Sequence, residues 1–161
     1  MTSTTHHETQ IAADPDVPLV RITREFDAPP EKVYRAHVDP DLVAQWMGPR
    51  STRMRIDQWD ARTGGSYRYV ASDENGEYGF HGCFHELRPN ELIVQTFTFD
   101  GMPDGVALEK LVLEDIGNGR TRLTATSLVD SFEGRDGFVA SGMDVGVNEG
   151  YEKLDDLLAR G

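Results

Sequence analysis

The sequence predicts an α+β domain: a curved antiparallel sheet of six to seven strands wrapped on a long C-terminal helix, with two short helices after the first strand. Three observations predict it. A stretch of period-two alternation opens the patterned chain and passes directly into helical spacing. Five or six strand-like segments then follow one another with only turn-forming loops between them. One long amphipathic helical stripe closes the sequence.

The 161 residues suit one domain and suffice to bury a core. The expected domain runs over 18–161. Residues 1–17 are polar, contain Pro15 and show no period, so they read as a disordered tail. That tail lacks the apolar segment of a signal peptide, and no stretch approaches the roughly 18 apolar residues of a membrane span. A cytoplasmic location is expected. The single cysteine, Cys83, excludes an internal disulfide and fits a reducing compartment. Asp and Glu total 28 against 16 Lys and Arg, a formal charge of −12. Such a surface repels phosphate backbones and anionic lipid, so neither nucleic acid nor membrane insertion is expected.

The first strand spans about Pro18 to Asp27, where Leu19, Arg21, Thr23 and Glu25 alternate against Val20, Ile22, Arg24 and Phe26. Asp27-Ala28-Pro29-Pro30-Glu31 opens a helix, with proline tolerated in its first turn. Val33, Tyr34, His37 and Val38 then recur at helical spacing. Asp39-Pro40 breaks that helix and starts a second one through Trp46, which Gly48-Pro49 stops.

Strands follow near 51–60, 65–71, 78–88, 91–100, 105–116 and 120–129. Gly64-Gly65, Asp73 to Gly76, Pro89-Asn90, Gly101 to Gly105 and Gly117 to Gly119 punctuate them. Short loops between consecutive strands imply an antiparallel meander. A long helix is expected over about 133–159, with Val139, Met143, Val147, Tyr151, Leu154, Leu157 and Leu158 as its apolar stripe. Gly142, Gly146 and Gly150 lie four apart beside that stripe. Their helix-propensity cost, about 1 kcal/mol each, points to close packing or to space left for a ligand.

Side chains alternate across a strand, so the turns set the register. The Pro89-Asn90 turn places Phe80, Gly82, Phe84, Glu86, Ile93, Gln95, Phe97 and Phe99 on one face, taken as the inner one. Gly117-Asn118-Gly119 sends Leu111 and Leu113 inward together with Glu109 and Ser127. An apolar interior with a few converging polar groups is the usual build of a small-molecule site. The apolar walls are assigned to Trp46, Tyr67, Tyr69, Phe80, Phe84, Phe97, Phe99, Met143 and Val147. Glu86, Gln95, Glu109 and Ser127 are assigned to orient a ligand's polar atoms.

No Gly-rich phosphate loop, nucleophile elbow or zinc-type cysteine pair is present. His81, Cys83 and His85 share one strand face, but neighbours two apart are about 7 Å from each other and the set is too small for a metal. No metal, cofactor or catalytic residue is assigned.

Arg21-Ile22-Thr23-Arg24-Glu25-Phe26-Asp27-Ala28-Pro29-Pro30-Glu31-Lys32-Val33-Tyr34 resembles the opening of SRPBCC proteins. Trp46-Met47-Gly48-Pro49 and Asp60-Ala61-Arg62-Thr63-Gly64-Gly65-Ser66-Tyr67 are similar to the branch related to the C-terminal domain of the heat-shock-protein-90 ATPase activator. So are Phe97 to Pro103 and Ser141 to Tyr151. The resemblance covers about residues 18–160. It implies the helix-grip fold shared with START lipid-transfer domains, birch-pollen-type allergens and polyketide cyclases, with a hydrophobic cavity between sheet and long helix. The function expected is binding of a small hydrophobic or aromatic molecule, polyketide-, flavonoid- or lipid-like. Two alternatives stand beside it. One is a chaperone-associated or stress-response interaction role. The other is a cyclase- or hydrolase-type enzyme using Glu86 or Glu109 as its acid or base. A homodimer through sheet or helix edges is compatible with the sequence, and no residue pattern selects it.

Overall fold

The computed structural model describes residues 6–161. Its elements are β1 (Gln10–Ala13), β2 (Leu19–Phe26), α1 (Pro30–Val38), α2 (Pro40–Trp46), β3 (Arg53–Trp59), β4 (Ser66–Asp73), β5 (Gly76–Arg88), β6 (Leu92–Phe99), β7 (Ala107–Gly117), β8 (Arg120–Leu128), α3 (Phe132–Ala140) and α4 (Met143–Arg160). The strands form one antiparallel sheet in the order β1-β2-β8-β7-β6-β5-β4-β3. This is the helix-grip architecture, with eight strands where six to seven were expected.

The order explains what α1 and α2 do. The chain leaves β2 near one edge and must reach β3 at the other, and the two short helices make that crossing. Pro30 starts α1, where a missing N–H costs nothing, and Asp39 caps α2 by accepting from the Asp41 N–H at 3.0 Å. Gly48, at φ 92°, turns the chain away after α2.

Two apolar clusters line the concave side. Phe26, Val33, Tyr34, Trp46, Ile93, Leu113, Leu123, Tyr151 and Leu154 form the larger one between α1, α2, α4 and the sheet. Tyr67, Tyr69 and Phe84 anchor the smaller, and Met47 and Leu87 pack against both.

The structure corrects three sequence expectations. Residues 10–13 are not a disordered tail. They form β1, which pairs Ile11 with Ile22 and Ala13 with Val20. Four residues are too few to show an alternation. The expectation for residues 1–5 lies outside the described residues.

The second correction concerns the C-terminal helix. The chain does not run as one helix over 133–159: α3 and α4 are separate, and Gly142 between them sits at φ 88°. A left-handed residue cannot continue a right-handed helix, and glycine adopts it without steric cost. Gly146 and Gly150 instead face the loop after α2. A Cβ on Gly150 would stand 3.2 Å from the Trp46 carbonyl oxygen, so the close-packing reading holds there.

The third correction is a register shift. A β-bulge lies between Phe84 and Glu86: Phe84 pairs with Gln95, but Glu86 pairs with Val94 and Leu87 with Ile93. One extra residue in β5 flips every side chain beyond it. Leu87 therefore turns inward and Glu86 turns out.

Candidate functional site

Between the concave sheet face and α4 lies a cavity of about 480 Å³. Its walls are mostly rings and aliphatic chains, which follows from alternation on the strands that build it. β4 contributes Tyr67 and Tyr69, β5 Phe80, β6 Gln95 and Phe97, β7 Glu109 and Leu111, and β8 Ala125 and Ser127. Trp46 of α2, His37 of α1, Trp59 of β3, and Met143, Val147 and Tyr151 of α4 complete it.

The rings form a continuous ladder. Tyr67 stacks on Tyr69 with centroids 6.2 Å apart, Tyr69 on Phe80 at 5.2 Å, and Phe80 on Phe97 at 5.4 Å. On the α4 side Trp46 stacks on Tyr151 at 6.0 Å and meets His37 edge-on at 4.9 Å. Indole N–H groups are satisfied away from the void: Trp46 donates to the Ala36 carbonyl and Trp59 to the Val38 carbonyl, each at 2.8 Å. Tyr67 lies across Gly82 and donates its hydroxyl to the Thr96 carbonyl at 2.6 Å.

Glu109 is the polar centre of the wall. Gln95 Nε2 donates to its Oε1 at 3.0 Å and Ser127 Oγ to its Oε2 at 3.4 Å. These contacts follow from the register, which pairs Gln95 with Glu109 and Glu109 with Ser127 across three strands. The carboxyl retains some open surface because it borders the void, but it stands far from bulk solvent. Burial therefore raises its pKa, against the two donated hydrogen bonds that lower it. Burial likewise raises the Tyr67 and Tyr69 hydroxyls, and the negative charge of Glu109 adds to the effect. His37 Nδ1 lies 2.7 Å from the Val33 carbonyl and must carry the proton there, which leaves Nε2 as the acceptor. That Nε2 is the one buried side-chain nitrogen or oxygen without a partner among the described residues. Burial pulls the His37 pKa down to about 4, so the ring is neutral near pH 7.

Of the thirteen residues assigned from sequence, ten border the cavity: Trp46, Tyr67, Tyr69, Phe80, Gln95, Phe97, Glu109, Ser127, Met143 and Val147. Three do not. Phe84 is 1% exposed and packs behind the wall, 5.2 Å from Tyr67 and 5.6 Å from Trp59. Glu86 lies beyond the bulge, where its carboxylate accepts from Thr63 Oγ1 at 3.2 Å. Phe99 touches Phe80 at 5.4 Å but lies outside the cavity, beside Gly101. Sequence reading did not assign His37, Trp59 or Tyr151 to the site. Helical spacing already placed His37 and Tyr151 on inward stripes, the signal that could have added them.

His81, Cys83 and His85 are exposed on the convex face, where His81 Nδ1 meets Asp100 Oδ1 at 2.8 Å. Among the described residues, no group of three or more His, Cys, Asp or Glu side chains is arranged to hold a metal. Among them, too, no helix is long and apolar enough to cross a membrane.

Several solved structures share the fold. A protein from Chromobacterium violaceum is 28% identical, with a TM-score of 0.75 over 88% of this chain and 96% of its own. One from Rhodobacter sphaeroides is 27% identical, with a TM-score of 0.83 over 94% of this chain and 98% of its own. A third, from Arthrobacter aurescens, is 23% identical, has a TM-score of 0.85 and covers 94% of this chain and 92% of its own; it speaks for the fold alone. No curated protein matches the chain. The family model described as Activator of Hsp90 ATPase homolog 1-like protein matches residues 27–159. The chain is therefore a member of the Activator of Hsp90 ATPase homolog 1-like family, within the SRPBCC superfamily.

Proposed function

We propose that this protein binds a small hydrophobic or aromatic molecule in the cavity between the sheet and α4. The observation that carries the reading is the void itself: about 480 Å³, walled by an unbroken ring ladder and given only a few polar groups. Interiors normally close-pack, and a space this large forfeits dispersion contacts along its whole lining. A ligand restores them. Burying about 300 Å² of apolar ligand surface would give roughly 7 kcal/mol before ordering costs.

Trp46 and Trp59 border the void and report its occupancy. The test is a titration with Nile red, a neutral hydrophobic dye, followed by displacement with a library of apolar compounds. Dye enhancement and altered tryptophan emission are expected, with binding weakened at least tenfold by Val147→Phe, which fills the space. Failure of the dye and of every library member to bind would sink the reading.

A further inference from the structure

Among the described residues, Glu109 is the only side chain in the cavity wall whose ionised form brings a charge to the void. Three ionisable lining residues other than tyrosine are His37, Glu109 and Lys110. His37 is neutral, with its proton held toward the Val33 carbonyl. Lys110 alternates with Glu109 along β7, so its side chain leaves by the convex face, where it is exposed. Among the described residues, the wall thus offers the Glu109 carboxyl group no cation. Its partners, Gln95 and Ser127, donate one hydrogen bond to each oxygen. Two donors on two different oxygens suit the ionised form. Each oxygen still has a lone pair free, and a buried carboxylate lacking a counter-charge is costly.

The surroundings suit the apolar body of a cationic ligand: Tyr67, Tyr69, Phe80 and Phe97 border the same space. An anionic head, by contrast, would meet Glu109 with no arginine or lysine to hold it. The whole-chain charge of −12 acts in the same direction, drawing cations and repelling anions.

Resting on the binding role proposed above, we infer that the ligand is an organic cation: an apolar or aromatic body carrying a protonated amine that pairs with Glu109 while the ring ladder takes the body. Fatty acids, acyl phosphates and other anionic amphiphiles are thereby disfavoured.

One carbon skeleton with three heads tests this: naphthylmethylamine, naphthylmethanol and naphthoate, each titrated calorimetrically at pH 7 into the wild type and Glu109→Gln. The amine should bind the wild type at least tenfold more tightly than the alcohol, with naphthoate weakest. Glu109→Gln should bring amine and alcohol to within about twofold of each other. A cooperative melting transition and retained binding of Nile red, which has no donor to offer Glu109, show that the variant is folded and its cavity intact. Equal affinity of amine and alcohol in the wild type, or an amine preference that survives Glu109→Gln, would overturn the cation inference and leave the cavity reading standing. No binding by any of the three, together with no Nile red binding, would overturn both.

Discussion

Arg24 and Asp155 form a two-pronged ion pair in the interior: Nη1 donates to Oδ1 at 2.9 Å and Nη2 to Oδ2 at 2.5 Å, with Arg24 1% and Asp155 7% exposed. The pair ties β2 to α4 across 131 residues of sequence and so fixes the helix that closes the cavity. Arg24 is further held by Thr9 Oγ1, by the Glu25 carbonyl, and by the faces of Phe26 and Tyr151. Removing one partner strands the other's charge. Asp155→Ala should cost about 3–5 kcal/mol in denaturant unfolding. The double replacement Arg24→Met with Asp155→Leu should recover most of that loss, because it leaves no buried charge unpaired. Equal destabilisation by both variants would show that packing at these positions, not the pairing, matters.

Gly82 makes the Tyr67 wall possible. A Cβ there would fall 2.0 Å from the Thr96 carbonyl oxygen and 2.7 Å from the Tyr67 hydroxyl. The first of these is backbone in the neighbouring strand and cannot rotate aside. Gly82→Ala should therefore destabilise by at least about 2 kcal/mol and loosen the Tyr67–Thr96 hydrogen bond. A melting temperature within a degree of wild type would show that β5 and β6 separate more easily than their contacts imply.

The glycines near α4 separate strain from propensity. Gly137 lies inside α3 with nothing within 4 Å of an added Cβ, so Gly137→Ala should stabilise by about 0.5–1 kcal/mol. Gly150→Ala gains the same propensity but drives its Cβ to 3.2 Å from the Trp46 carbonyl oxygen and 3.4 Å from the Gly48 nitrogen. It should lower the melting temperature. Thermal unfolding of the two variants should therefore shift in opposite directions.

The sequence carried the sheet's meander, the two short helices and the pairing of Glu109 with Ser127, because each rests on strong local punctuation: Gly117-Asn118-Gly119 sets that register unaided. The pairing of Gln95 with Glu109 joins β6 to β7 across the longer Gly101 to Gly105 loop, which does not set a register by itself. What it hid is equally local in origin. The bulge after Phe84 inserts one residue without any Gly or Pro to mark it, and with it goes the inward orientation of Glu86. Gly142 stands in register with Gly146 and Gly150, so a helix-ending glycine looked like one of three packing glycines. Arg24 shares its strand face with Val20, Ile22 and Phe26, and Arg135 lies in α3; both are charged side chains of a type that is mostly exposed. Their burial depends on acceptors far along the chain, such as Asp155 and the Asp14 and Leu19 carbonyls, which no local window contains.

His37 sets an acid limit on stability. Its folded pKa of about 4 lies below the ordinary value of 6.5. The unfolded chain therefore takes up a proton that the folded protein refuses. Stability contributed by the neutral ring is complete above pH 6.5 and falls as the solution is acidified toward pH 4, by roughly 3 kcal/mol in total. His37→Phe keeps an edge-on aromatic partner for Trp46 while removing the titration. The stability difference between wild type and variant should change with pH across that window and be flat above it. A difference independent of pH would mean that the ring is hydrated and titrates normally.

Glu109 has the opposite sign. Burial raises its pKa, so the folded state prefers the protonated form more than the unfolded chain does. The stability linked to that proton is fully present below the ordinary carboxyl value of 4.5 and is lost as pH rises through the raised folded pKa. The ionised form of Glu109 is thus the form that the ligand-free fold disfavours. Glu109→Gln keeps the shape, retains one oxygen to accept from Gln95 Nε2, turns an NH2 toward the Ser127 hydroxyl, which can accept from it, and cannot ionise. The variant should melt higher than wild type at pH 7–8 and lose that advantage near pH 4.5. If it also loses amine binding, the same side chain costs stability in the free protein and supplies affinity in the complex, a trade-off common to binding sites. A variant less stable than wild type at pH 8 would show instead that Gln95 and Ser127 fully compensate the charge, leaving no deficit for a cation to fill.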